Sequence, residues 1–352
     1  MKKNYPWKFF KLYLHISLHL PEFINNLISR IIIALILPFF KKNYIVAMLN
    51  ILLCFKKAIS TKQQHALLKQ SLQFSFFSAR QVVSFLYHKY TFPSKIITME
   101  NQNFLDETIN KHGKALIVSG HFGVFPLIPL YMAHNNFKIS VIIKPPHNQQ
   151  FRSFIFDHMT ANNIGIIPTS PEIECFKKIH EALLNNHSVM FMIDQTPTRH
   201  QAHTLVKFFD WNTLVYPTIN ELAKKHNLPI LPIFTHSETH ADRKYMKITN
   251  LGKNKGIEAQ SVGANPQRHK GETGSVFPSH IITCYPPINA AEAEDVLEQT
   301  NRILEDLIML YPWQWWWFHK KWYNLVEYNN PAFYKYAREE PSRFFAYLSE
   351  RE

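Results

Sequence analysis

Residues 115–126 of this 352-residue chain read ALIVSGHFGVFP, and they indicate how the central part of the chain folds. The apolar run that ends at Ser119 is typical of a buried strand, and the apolar segment 124–132 predicts a helix packed on it. His121 therefore lies at a strand-to-helix corner. Such corners, at the carboxyl ends of strands in open α/β sheets, usually bind ligands because backbone N–H groups and a helix N-terminus point into the crevice.

Gly120 and Gly123 flank this histidine, and they are two of only nine glycines in the chain. Glycine is favoured where a backbone turns sharply or must let a ligand approach closely. On these residues alone two interpretations stay open. The histidine either satisfies a backbone carbonyl in the core or acts on a bound substrate.

Strand and helix patterns alternate after this corner. Strands are predicted over 138–143, 165–167, 188–193, 229–234, 243–250 and 281–285, and helices over 151–161, 171–186, 217–226 and 290–310. We therefore expect an α/β fold with a mixed, mostly parallel sheet flanked by helices. Lys144 and Asp194 directly follow two of these strands, so they should lie beside His121 at one edge of the sheet.

The first part of the chain favours helices and membrane association. Lysines alternate with aromatic residues over 2–13, and the segment 23–40 is continuously apolar only from Ile31 to Phe40, which is too short to cross a bilayer alone. We expect a helix in the membrane interface, with a single-pass anchor or an ordinary core helix as alternatives. Two amphipathic helices are predicted over 47–90, and a connector over 92–110.

These patterns divide the chain into three parts. We expect a membrane-interface or anchor segment at 1–45, an α/β domain at 46–328 and a C-terminal tail at 329–352. Within the second part, residues 253–274 form a polar insertion, and the segment 311–322, YPWQWWWFHKKW, holds five of the seven tryptophans. That composition suits a membrane-interface belt, an aromatic pocket or a cluster that caps the core.

Composition limits the possible functions. A net charge of +13 with 14% aromatic residues suits nucleic acid or an anionic membrane surface, but no nucleic-acid recognition motif is present. The three cysteines stand far apart without CxxC spacing, which argues against a disulfide framework or a zinc site. His236 and His240 are expected to be exposed in a polar connection rather than to bind metal.

The chain resembles the lipid A biosynthesis acyltransferases of Gram-negative bacteria from about Leu18 to Tyr323. The resemblance is carried by these blocks, in this order: GHFG at 120–123, KP at 144–145, DQTP at 194–197 with Arg199, FF at 208–209 with Pro217, PWQW at 312–315 and HKKW at 319–322. In the family, an aspartate or glutamate follows the histidine after four residues. Here that position is Pro126, and Lys144 stands where arginine is common.

The resemblance implies that His121 is a general base that takes a proton from an acceptor hydroxyl, which then attacks a thioester. Donors near the helix N-terminus, where Gly120 and Gly123 lie, would bind the substrate and stabilise the oxyanion. Since Pro126 cannot orient the imidazole, we expect Asp194 to replace the missing acid, ahead of Glu172 or Asp157.

Lys144 and Arg199 are expected to bind phosphate groups of an acidic glycolipid or of a carrier protein's arm. We expect no metal and no cofactor, only an acyl carrier protein or coenzyme A thioester as the acyl donor. The expected partners are a membrane lipid or glycolipid acceptor, an acyl carrier protein and the cytoplasmic face of the bacterial inner membrane, with no nucleic acid. The alternative is a catalytically impaired member that binds lipid or a partner protein.

Overall fold

A computed structural model of the chain describes residues 11–13, 15–17, 19–39, 41–56, 58–87, 96–197, 201, 203–238, 279–289 and 296–322. Several features discussed above lie outside the described residues: residues 2–10, Arg199, His240, the strand predicted at 243–250, the insertion at 253–274 and the tail at 329–352. The expectations for them stay predictions.

The described helices are α1 (Glu22–Ile36), α2 (Lys41–Phe55), α3 (Thr61–Tyr87), α4 (Gln102–His112), α5 (Leu127–His134), α6 (Gln149–Ala161), α7 (Glu172–Leu184), α8 (Thr218–His226) and α9 (Val296–Leu310), with 3-10 turns at Leu37–Phe39 and Pro312–Gln314. The strands are β1 (Ile97–Glu100), β2 (Leu116–Ser119), β3 (Ile139–Ile143), β4 (Ile164–Pro168), β5 (Ser188–Met192), β6 (Thr204–Phe208), β7 (Trp211–Val215), β8 (Ile230–Glu238) and β9 (Ser279–Cys284).

Seven strands form one sheet in the order β1-β9-β8-β2-β5-β3-β4. The five strands from β8 to β4 are mutually parallel, β9 runs antiparallel to β8, and β1 runs parallel to β9. Strands β6 and β7 form a separate antiparallel hairpin. The expected mixed, mostly parallel sheet is thus confirmed.

Helices cover both faces of this sheet because the strands are apolar on both sides. In β2, Leu116 and Val118 pack into one core with α2, α7, α8 and α9, whereas Ile117 packs into a second core with α4 and α5. None of the described helices combines the length and apolarity needed to cross a bilayer. The predicted boundary between residues 45 and 46 falls inside α2, whose Val46 and Leu49 belong to the first core.

Two predictions about local structure are wrong. The segment 92–110 is not simply a connector, because it holds β1 and most of α4. Its apolar pattern is weak, since β1 has four residues and α4 buries only Leu105 and Thr108. His236 is not exposed either: strand β8 continues to Glu238, so the His236 ring is buried and stacks on Tyr311.

The tryptophan-rich segment caps the core. Trp313, Trp315, Trp317 and Trp322 are buried, and only Trp316 of the five is substantially exposed, at 38%. Trp315 and Trp317 pack edge to face with their ring centroids 4.7 Å apart. The interface-belt alternative is therefore wrong for four of the five rings. The hairpin of β6 and β7, for which we made no prediction, packs beside this segment through Phe208, whose ring contacts those of Trp315 and Trp322.

Candidate active site

The carboxyl ends of three neighbouring strands form the candidate active site. His121 follows β2, Lys144 follows β3 and Asp194 follows β5, and the parallel order of these strands brings their ends to one edge. A cavity of about 550 Å³ opens there. His121, Lys144 and Gln195 are among its polar residues, and its walls are otherwise mainly apolar, including Val82, Pro129, Val141, Met159, Phe176 and Ile219.

Asp194 holds His121 through both of its carboxylate oxygens. The Oδ1 atom lies 2.8 Å from Nδ1 of the His121 ring, and Oδ2 accepts the backbone N–H of His121 at 2.8 Å. The indole N–H of Trp315 also donates to Oδ2, at 3.1 Å. An ionised carboxylate only accepts hydrogen bonds, so Nδ1 carries the ring hydrogen. The Nε2 atom is then the basic nitrogen of the ring.

The charge on Asp194 is stabilised by this contact although the side chain is fully buried. Burial alone raises the pKa of a carboxyl group, but the charge and hydrogen bonds of His121, aided by His319, hold the pKa of Asp194 well below its ordinary value. The carboxylate is therefore ionised at neutral pH and can orient the imidazole.

A second histidine, His319, lies against the first. The ring centroids of His121 and His319 are 4.5 Å apart in an edge-to-face arrangement. Burial lowers the pKa of His319 to about 4, although the charge of Asp194 acts in the opposite direction. The His319 ring is therefore neutral at neutral pH. We did not predict a role for it, although the HKKW block at 319–322 was part of the resemblance.

The segment that follows α9 fixes the corner on which His121 stands. Phe122 and Trp315 form an antiparallel bridge. The N–H of Gly123 donates to the carbonyl of Gln314, and the N–H of Trp316 donates to the carbonyl of His121, both at 3.0 Å. The aromatic segment thus acts as a backbone partner for the histidine corner.

Both glycines of the corner have packing roles. Gly123 has φ +62°, and a Cβ atom there would overlap the carbonyl oxygen of Thr235. A Cβ atom on Gly120 would come within 3.1 Å of Leu304. The N–H groups of His121, Phe122 and Gly123 are all engaged within the fold. In this conformation these three groups are not free to stabilise an oxyanion, and the predicted substrate-binding role of the glycines stays a prediction.

Pro126 occupies the position of the family's acid without disturbing the fold. It precedes α5 with φ −66° and ψ −10°, values that proline adopts readily, and it lines the cavity. Of the other two acids considered, Glu172 lines the cavity, and Asp157 is exposed on α6. In the part of the chain that the structure describes, the carboxylate bonded to His121 is that of Asp194.

One group of side chains could share a cation. Donor atoms of His121, Asp194 and His319 lie within 4.8 Å of one another. Both oxygens of Asp194 already accept N–H donors, however, and a cation would have to displace them. We therefore assign no metal to this group.

Comparison with known proteins identifies the family. A model of the bacterial lipid A biosynthesis acyltransferase family matches residues 6–250, which is well over half of the chain. The chain belongs to this family. The residues matched include His121, Lys144 and Asp194, and family membership places the protein among enzymes that transfer acyl groups.

Solved structures with a similar chain include an acyltransferase. The crystal structure of the 1-acyl-sn-glycerophosphate acyltransferase PlsC from Thermotoga maritima is 11% identical in sequence, with a TM-score of 0.31, and the match covers 81% of this chain and 94% of that one. A search of curated protein sequences found no match.

Proposed function

We propose that this protein transfers a fatty acyl group from a thioester donor to a hydroxyl group of a lipid A precursor or a related glycolipid. Membership of the acyltransferase family supports acyl transfer. The observation that carries the proposal is the His121–Asp194 pair, whose histidine lines a mainly apolar cavity. Asp194 orients the base His121 in this pair, although Pro126 stands at the position where the family usually has an acid.

The geometry suggests how the reaction proceeds. Asp194 holds Nδ1 of His121, so Nε2 takes the proton of the acceptor hydroxyl as its oxygen attacks the thioester carbonyl. The tetrahedral intermediate then collapses, the C–S bond breaks, and the imidazolium returns the proton to the leaving thiolate. The products are an ester and a free thiol, and the enzyme returns to its starting state.

The cavity and its rim suit the two ends of such substrates. Its apolar wall offers space for an acyl chain, which loses contact with water there. Lys144 lies on the rim and is exposed, so its ammonium group can bind a phosphate of the glycolipid or of a carrier protein's phosphopantetheine arm. Arg199 is proposed for the same task.

Helix α1 supports a position at the membrane surface. Its buried side carries Asn25 and Ser29, and its exposed side carries apolar residues spaced by four: Phe23, Leu27, Ile31 and Leu35, each more than 50% exposed. Apolar residues on the outer side of a helix are favourable in a bilayer interface. The exposed Arg30 and Lys42 add attraction to anionic lipids. We propose the cytoplasmic face of the bacterial inner membrane, with an acyl carrier protein as donor.

A second candidate function is favoured by Pro126 alone. If Asp194 does not substitute for the family's acid, the protein binds lipid or a partner protein without acylating it. To separate the two, the purified protein is incubated with acyl carrier protein or coenzyme A thioesters and a lipid A precursor, and the lipids are analysed by mass spectrometry. An acylated product from the wild type but not from His121→Ala supports the enzyme. Lipid binding by both without any product supports the binding protein.

A further inference from the structure

Lys321 is a fully buried lysine directly behind the strand end that carries Asp194. Its ammonium group donates to the carbonyl oxygen of Ile193 at 3.0 Å and lies 4.9 Å from the centre of the Phe208 ring. Its own carbonyl oxygen accepts the hydroxyl groups of Thr196, at 2.8 Å, and Thr213, at 2.6 Å. Lys321 therefore holds the turn that carries Asp194 on both sides of that residue.

A buried ammonium group is costly unless nearby charges and hydrogen bonds compensate it. Two carboxyl groups favour its charged form: Asp194 at the end of β5 and Glu305 on α9. The neighbouring histidine, His319, is disfavoured in its charged form by Lys321. Burial lowers the pKa of Lys321 to about 8, so the ammonium form still predominates at pH 7. The site thus contains a buried positive charge beside the carboxylate that orients His121.

We propose that Lys321 is a positioning residue that fixes the Ile193–Asp194 turn and offsets the charge of Asp194, and thereby tunes how readily His121 accepts a proton. This inference rests on the proposed acyl transfer. Because its ammonium group bonds to the carbonyl of Ile193, directly before Asp194, Lys321 acts on His121 through the turn and the charge of Asp194. An uncompensated carboxylate would attract a proton to the His121 ring more strongly than the compensated pair does.

The charge and the hydrogen bond of Lys321 can be separated by two variants. Lys321→Met removes both, whereas Lys321→Gln keeps an N–H donor for the Ile193 carbonyl. Loss of the positive charge makes protonation of the site easier, so the acid limb of the pH profile of kcat/KM should move to higher pH by about one unit in both variants. The plateau of kcat should fall further in Lys321→Met, because only this variant leaves the Ile193 carbonyl without its side-chain donor.

A double-mutant cycle tests the coupling between Lys321 and Asp194 by thermal stability, without a measurement of enzyme activity. If Lys321 compensates Asp194, Lys321→Met should lower the melting temperature more in the wild-type background than in Asp194→Asn, where the buried negative charge is already gone. If Lys321→Met alone does not fold but the double variant Lys321→Met with Asp194→Asn does, that result also shows that Lys321 compensates the charge of Asp194.

The outcomes also distinguish this inference from the proposed function. If the wild-type protein shows no acyl transfer, the proposed function is wrong. The double-mutant cycle of melting temperatures would still test the link between Lys321 and Asp194. Active wild type with unshifted pH profiles in both Lys321 variants, or additive melting temperatures in the cycle, would overturn the positioning role.

Discussion

The Nδ1 atom of His121 lies 2.8 Å from the Oδ1 atom of Asp194, a residue 73 positions further along the chain. The register of the sheet explains this contact. Strands β2 and β5 are parallel neighbours in which Ser119 stands opposite Met192. His121 lies two residues after Ser119, and Asp194 lies two residues after Met192. The two side chains therefore come together where the strands end. The carboxylate bonded to His121 thus comes from the end of the adjacent strand, while Pro126 stands where the resemblance places an acid.

We expect Asp194→Asn to lower kcat by about 10⁴-fold, because asparagine no longer holds the ring hydrogen on Nδ1. Asp157→Asn, an exposed change on α6, is the matched control and should retain full activity. Steady-state kinetics with a thioester donor measure both. If Asp194→Asn is as active as the wild type and Pro126→Glu gains greatly, Asp194 is not the substitute acid.

We expect Lys144→Ala to raise KM for a phosphorylated substrate about 10-fold with little change in kcat, since a rim ammonium binds the ground state and the transition state alike. Lys144→Arg should stay close to the wild type because it keeps the charge. Lys138→Ala is the matched control: this lysine is exposed at the opposite end of the same strand. An equal rise in KM for Lys138→Ala would contradict a specific role for Lys144.

The sheet and the His121 corner could be predicted because they depend on local patterns. Short apolar runs bounded by turn residues identify buried parallel strands, and the carboxyl ends of such strands meet at one edge. Asp194 could be proposed from this rule without knowledge of the register. Gly123 was recognised for its rarity, but its contact with Thr235 depends on packing that a sequence does not show.

Other features escaped prediction because they depend on long-range contacts. His319 and Lys321 look like part of a basic, aromatic surface segment, and long-range contacts such as the β-bridge of Phe122 with Trp315 bring that segment to the active site. His236 lies in a polar stretch of sequence, yet it is buried because β8 is longer than its apolar run and pairs with β9. The residues next to these positions in the sequence form no pattern that would predict either contact.

The exposed side of α1 should bind anionic vesicles. We expect Leu27→Glu with Ile31→Glu to reduce co-sedimentation with phosphatidylglycerol vesicles at least 10-fold, since two apolar contacts are lost and two negative charges face the anionic surface. Leu205→Glu, a change at another exposed apolar residue on β6, is the control and should bind normally. Unchanged co-sedimentation of the α1 variant would show that this helix does not mediate membrane binding.

The stability of the fold should fall below about pH 6.5, in part through His280. Burial lowers the pKa of His280 to about 4. The neutral ring is favoured in the folded state, so its contribution is complete above the unfolded pKa of about 6.5 and is lost as pH falls toward 4. Between pH 6.5 and 5 this amounts to about 2 kcal/mol. Urea unfolding should show a smaller fall for His280→Asn, whose amide can still bond to Ser237. An identical fall would assign the effect to other groups.

Gly123→Ala should destabilise the protein much more than Gly113→Ala. Both glycines have positive φ, +62° and +74°, so alanine at either costs about 1 kcal/mol or more. Only at Gly123 would the new Cβ atom overlap the Thr235 carbonyl, whereas at Gly113 its nearest neighbour is 3.6 Å away. Overpacking adds about 1–3 kcal/mol. Urea unfolding of the two variants measures the difference, and equal destabilisation would mean that β8 moves aside.

Because Gly123 precedes α5 and bonds to Gln314, we also expect Gly123→Ala to displace His121 and to reduce acyl transfer even where the protein remains folded.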